Sequence, residues 1–142
     1  MCISGEKEPM NTPPEPTNRL LEVSQPLTEE MTVALSRQEA DLYARFFKVF
    51  GDPTRIRLLH LLLDAQPIGH TVSELVGLLG QPQGRVSTHL GCLRWCGLVE
   101  SERVGKQVCY RISDPRVREI LALGGAIIRD HAAGVASCGV IR

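Results

Sequence analysis

No stretch of this chain approaches the ~18 consecutive apolar residues that a membrane-spanning helix needs. The opening MCISGEKEPM also lacks the basic flank and following apolar run of a secretory leader. A cytosolic protein that contacts no membrane is therefore expected. Net charge is missing as well, because sixteen Lys and Arg balance sixteen Asp and Glu, so the overall balance says nothing about nucleic acid. Catalytic signatures are absent: there is no glycine-rich phosphate loop, no nucleophile elbow and no His-Glu-x-x-His. Five cysteines are present without the Cys-x-x-Cys spacing of a thioredoxin-like redox pair, and an odd number cannot pair completely within one chain. In a cytosolic protein they are read as reduced thiols, ligands or small buried hydrophobes rather than a disulfide framework. Together these absences argue against an enzyme.

Within its 142 residues the chain has room for one domain with a core. Residues 1–30 hold Pro9, Pro13, Pro14, Pro16 and Pro26 among acidic and polar residues with no sustained period, which predicts a disordered tail in which Cys2 is incidental. The folded domain is placed at 31–132 and a C-terminal tail at 133–142. A first helix is read from about Leu35, with Ala40, Tyr43, Ala44, Phe47 and Phe50 at helical spacing up to Gly51. Asp52 then caps a second helix with Pro53 at its first position, and its leucines run to Asp64. Thr71-Val72-Ser73-Glu74 forms a capping box for a third helix that stops at Gly80. After Gly80-Gln81-Pro82 comes a fourth, with Val86, Leu90 and Leu93 on one face and an end near Gly97. Helices three and four make a helix-turn-helix.

Leu98 to Arg103 and Gln107 to Ile112 flank Val104-Gly105-Lys106 and predict a β-hairpin. A final helix begins at Asp114-Pro115 and carries Val117, Ile120, Leu121, Gly124, Ile127 and Ile128 as an apolar stripe. That stripe either packs on its own domain or meets a second copy in a two-fold dimer.

Charge is distributed unevenly. Met1 to Asp41 holds eight acidic residues against three basic ones, whereas Gln83 to Arg111 holds five basic against two acidic. Helix four exposes Gln83, Arg85, Ser87, Thr88 and His89, and Arg103 and Lys106 follow on the hairpin. A locally positive helix and hairpin suits a phosphate backbone; an ordinary α+β domain with a solvated charged face satisfies the same pattern. Cys92 and Cys96, four apart on helix four, have Cβ atoms about 5–6 Å apart on one face. Two such thiolates are soft ligands able to share a thiophilic metal, although Cys at this spacing also arises from core packing. A selective site needs a third ligand, and Cys138 beyond the last helix is the candidate. Cys109 alternates with Val108 and Tyr110 and is read as a packing residue.

Two motifs carry a family resemblance. Phe47-x-x-Phe50-Gly51-Asp52-Pro53-Thr54-Arg55-x-Arg57-x-Leu59 resembles the opening helices of the ArsR/SmtB repressors. Val86-Ser87-x-His89-Leu90-x-x-Leu93-Arg94-x-x-Gly97-Leu98-Val99, followed by Arg103-x-Gly105-Lys106-x-x-x-Tyr110, resembles their recognition helix and wing. The resemblance covers about Ser36 to Cys138. It implies a mainly α winged helix-turn-helix with a β-hairpin wing, a homodimer through the first and last helices, and binding to double-stranded operator DNA. HLGCLRWCGLV with the later Cys138 is similar to the cadmium- and lead-sensing CmtR-like branch, in which the tail thiol comes from the other protomer. That similarity implies a metal site of Cys92, Cys96 and Cys138 with cadmium or lead as effector; mercury, arsenite or metal-free thiol oxidation remain alternatives. The paired cysteines that some members carry on the third helix are replaced here by Val72-Ser73-Glu74-Leu75-Val76, and Asp130-His131 has no second His after it.

Overall fold

A computed structural model describes residues 34–141; the predicted tail at 1–30, with Cys2, lies outside them. The elements are α1 (Arg37–Phe50), α2 (Pro53–Asp64), β1 (His70–Thr71), α3 (Val72–Leu79), α4 (Gln83–Trp95), β2 (Val99–Val104), β3 (Gln107–Ile112) and α5 (Arg116–Ser137). Among the described residues no helix is long and apolar enough to cross a membrane.

Local chemistry sets the helix starts. Ser36 opens α1 with a reciprocal capping box: Ser36 N donates to Glu39 Oε2 at 2.7 Å and Glu39 N to Ser36 Oγ at 3.2 Å. Asp52 Oδ1 accepts from Thr54 N at 2.9 Å and Arg55 N at 3.1 Å, so two otherwise orphaned donors at the head of α2 are satisfied. Thr71 and Glu74 repeat the reciprocal box at α3, which ends at Gly80 with φ +63° in the left-handed region. The helix-turn-helix and hairpin therefore stand as expected.

The core joins these elements through leucine. Leu58, Leu59 and Leu62 of α2, Leu75 of α3, and Val86, Leu90 and Leu93 of α4 are fully buried. Leu98 and Val99 from the start of the wing and Val117 from α5 close the same cluster. Each such side chain contributes roughly 1.5–3 kcal/mol by leaving water.

One strand is not signalled by the sequence. β1 pairs antiparallel with β3, His70 opposite Tyr110 and Thr71 opposite Cys109, giving a sheet of order β1-β3-β2. A two-residue strand is too short to show alternation. Gly69 permits it: a Cβ there would lie 2.2 Å from Tyr110 O, and its φ is +82°. The wing itself pairs from Val99 opposite Ile112 to Val104 opposite Gln107, which leaves Gly105 and Lys106 as the connection. Cys109 is buried, as its alternation with Val108 and Tyr110 predicts.

The first turn of α5 is anchored by buried Val117 and by Arg118 Nη2, which donates to Leu63 O at 3.3 Å. Farther along, Leu123 (66 %), Ile127 (60 %) and Ile128 are exposed, as are Phe47 (56 %), Tyr43 and Leu42 on α1. The distal half of the apolar stripe is thus not covered by its own domain. Backbone angles leave the helical region at His131 (φ −128°, ψ 21°), and the helix then continues to Ser137. Residues 133–137, expected as part of a tail, are therefore helical, because Ala132, Ala133 and Ala136 favour helix more than the composition first suggested.

Gly69→Ala is expected to lower stability by about 1–3 kcal/mol, while Gly77→Ala in α3, where a Cβ meets nothing within 4 Å, should be neutral or raise it by up to ~1 kcal/mol. Urea unfolding of the two variants checks this; equal effects would contradict the role given to Gly69.

Candidate nucleic-acid interface and thiol pair

Burial of Val86, Leu90 and Leu93 fixes which side of α4 faces out. Gln83, Gly84, Arg85, Ser87 and Thr88 are exposed together on its first half. Thr88 Oγ1 donates to Gly84 O at 2.9 Å, which leaves its oxygen free to accept. Pro82 precedes α4 without a side-chain cap. At the wing tip, Arg103 and Lys106 are exposed, with Arg103 Nε donating to Gly105 O at 3.3 Å.

Two expectations need correction. His89 does not share the exposed face: its side chain is only 14 % accessible and turns towards α2, with Nδ1 3.7 Å from Asp52 Oδ1 and 3.5 Å from Arg55 Nη1. One position of helical rotation past Thr88 carries it from the outer face to the α2 side. Arg111, counted among the positive charges of the reading head, lies 2.5 Å from Glu102 Oε2 and 3.7 Å from Glu100 Oε1. The Glu102 carboxylate is 5 % accessible, so this cation balances a buried anion. The exposed charge of the wing therefore resides in Arg103 and Lys106.

The head of α2 organises the junction beneath α4. Burial opposes ionisation of Asp52, but the Arg55 N–H, the neighbouring His89 and Arg55 side chains and the Thr54 N–H outweigh it and hold the carboxyl below its ordinary range. Buried Thr54 places Oγ1 3.2 Å from Gln81 Nε2, tying α2 to the turn of the helix-turn-helix. Arg55 donates from Nε to Val49 O at 2.6 Å and from Nη2 to Lys48 O at 2.7 Å. Asp52, Thr54 and Arg55 stand in the motif that resembles a known family, yet sequence spacing shows nothing of these contacts across the fold.

Cys92 is half-buried on α4 and Cys96 is the exposed residue that caps it. The two thiols are neighbours: partial burial pushes the Cys96 thiol up, and the charge and hydrogen bond of Cys92 add to this, against a smaller opposing effect of Arg55. Cys138 is exposed at the end of α5. Among the described residues no three His, Cys, Asp or Glu side chains gather closely enough to hold a metal ion. One chain thus brings together two of the three predicted ligands and leaves the third apart. The donor set suits a soft or borderline cation, and completing it requires a thiolate from elsewhere.

A raised thiol pKa means little thiolate at neutral pH. Alkylation of Cys96 by iodoacetamide should be slower in the folded protein than in urea at pH 7.5, and should rise as pH passes the ordinary thiol value of 9.0. Peptide-resolved mass spectrometry reads this; faster alkylation of the folded form would contradict it.

A three-stranded wing packed on a helix-turn-helix, with a polar outer face on the second helix, defines a winged-helix DNA-binding fold. Residues 52–101 match the family of bacterial regulatory proteins described as the arsR family. The chain is 41 % identical over 98 residues to a probable mercury resistance operon repressor of Streptomyces lividans, covering 69 % of this chain and 76 % of that one. It is 40 % identical over 78 residues to the transcriptional regulator CmtR of Mycobacterium bovis, covering 55 % and 64 %. A homodimeric winged helix-turn-helix DNA-binding domain from Mycobacterium bovis superposes with a TM-score of 0.57 at 27 % identity, covering 70 % of this chain and 92 % of that one. This protein belongs to the arsR family and is a regulatory protein rather than an enzyme.

Proposed function

We propose that the protein is a metal-responsive transcriptional repressor that binds operator DNA as a homodimer and leaves it when a thiophilic ion, cadmium or lead, is held by Cys92, Cys96 and Cys138. The observation that carries this reading is the neighbouring thiol pair on the same helix as the reading head. A dimer through α1 and α5 is supported by the exposed apolar faces of both helices and by the homodimeric relative. A second copy is also a source for the third thiolate, since the chain's own Cys138 stands apart from the pair.

On DNA, Gln83, Arg85, Ser87 and Thr88 face the major groove, while Arg103 and Lys106 contact phosphates beside it. His89 is assigned to the α2 junction instead. A bound metal ion would neutralise and cross-link the thiolates. The chain's own part is to present two of them on α4, so that ligand binding and DNA reading act on the same helix. The ion must favour the DNA-free conformation, with a coupling of about 1–3 kcal/mol.

A second reading, mercury, is favoured by the Streptomyces lividans relative and by the fact that one chain assembles two thiols, because mercury(II) is satisfied by two thiolates in line. Arsenite, like cadmium and lead, calls for three. Cys138→Ser separates the readings: it should weaken release by cadmium and lead if they are the effectors, and spare release by mercury.

Fluorescence anisotropy on the protein's own promoter, in reducing buffer, tests the whole. Arg85→Ala with Ser87→Ala should cost about 1–3 kcal/mol of specific affinity per lost base contact, and Lys106→Ala should weaken all DNA evenly and lower the salt slope by about one. Cys92→Ser with Cys96→Ser should bind the operator normally and stay bound in metal, whereas Cys109→Ser should respond as the parent does. Metal-driven release of the Cys92/Cys96 double variant would overturn the site.

A further inference from the structure

Arg55 lies where three elements meet. Two of its nitrogens donate to carbonyls in the last turn of α1, Val49 O at 2.6 Å and Lys48 O at 2.7 Å. Lys48 O also accepts from Gly51 N at 3.1 Å, and a planar guanidinium presents its donors to both carbonyls in one fixed fork, which an ammonium does not. Its third nitrogen, Nη1, lies 3.5 Å from His89 Nδ1 on α4, and the same imidazole nitrogen lies 3.7 Å from Asp52 Oδ1. The backbone N–H of Arg55 is in turn held by Asp52 Oδ1 at 3.1 Å. His89, Cys92 and Cys96 fall at i, i+3 and i+7 and so share one side of α4.

We infer that Arg55 is a positioning residue that couples the Cys92–Cys96 pair to both the recognition helix and α1. The inference rests on the proposed role of those thiols in binding a metal ion. A common ligand on Cys92 and Cys96 constrains the C-terminal half of α4. His89 sits on that constrained side and contacts Arg55, and Arg55 grips the end of α1. A small displacement of α4 is thereby carried to α1, whose exposed Tyr43 and Phe47 belong to the face offered to a second copy. The reading head and the spacing of two such heads then change together.

The test compares Arg55→Lys, which keeps the charge and loses the fork, with His89→Gln, which removes the α4 end of the bridge and leaves the α1 staple in place. Cadmium binding is followed by thiolate-to-metal absorption and by the fluorescence of Trp95, the single tryptophan, which lies between the two cysteines. Operator affinity is measured with and without cadmium. Both variants should bind cadmium, and in its absence the operator, within about threefold of the parent, while the ratio of operator affinities without and with cadmium collapses by at least about fivefold, a loss at the lower end of ordinary allosteric couplings. A residue that only stabilised the fold would lower the thermal midpoint and leave that ratio unchanged. An unchanged ratio in His89→Gln, or in a folded Arg55→Lys, overturns the inference. A parent protein that fails to bind cadmium, or binds it and stays on DNA, overturns instead the reading of the thiol site on which the inference stands.

Discussion

The burial of Val86, Leu90 and Leu93 is the constraint from which the rest follows. Three apolar side chains on one face of a 13-residue helix fix its rotation, and helical geometry then dictates that Gln83, Arg85, Ser87 and Thr88 look outward. Their partners come from α2, α3 and the first residues of the wing, so the same packing that orients the reading helix also seats the hairpin beside it. Pro82 supplies α4 with no side-chain cap, and the polar ties of the helix run through Gln81 to Thr54 and through His89 to the head of α2.

Much of the architecture was legible because the second and third helices announce their own starts. Asp52-Pro53 and Thr71-x-x-Glu74 act through local hydrogen bonds, which spacing alone can reveal, and Gly80 stops α3 for a stereochemical reason that is equally local. What escaped depends on distant partners. β1 is two residues long and exists because Gly69 lets it approach Tyr110. His89 carries a polar side chain at the boundary between the two faces of α4, and only the position of Asp52 and Arg55 decides which way it turns. Arg111 added to the positive count of the reading head, yet Glu102, nine residues away in sequence, is its partner across the strands. For α5, a small-residue composition suggested a tail where alanine in fact sustains helix past the break at His131.

The thiols show the same division. Their pairing on one turn of α4 follows from spacing, and the structure agrees. Cys138, by contrast, lies at the far end of a long helix whose distal apolar face is open, so its distance from the pair and the exposure of that face raise the same question of what a second copy supplies. In the proposed dimer, covering the stripe of α5 and completing a three-thiolate site would be consequences of one assembly. Such an arrangement would make the ligand sensitive to how the two copies sit, and the Arg55 junction places α1 within that reach.

Reciprocity tests the central claim most directly, because a ligand that weakens operator binding must itself be weakened by the operator to the same extent. Cadmium affinity can be measured by competition with a chelator of known strength, for the free protein and for the protein saturated with operator. The account predicts weaker cadmium binding on DNA, by the factor with which cadmium lowers operator affinity. Equal cadmium affinity in the two states would show that the thiol pair and the reading head are not coupled.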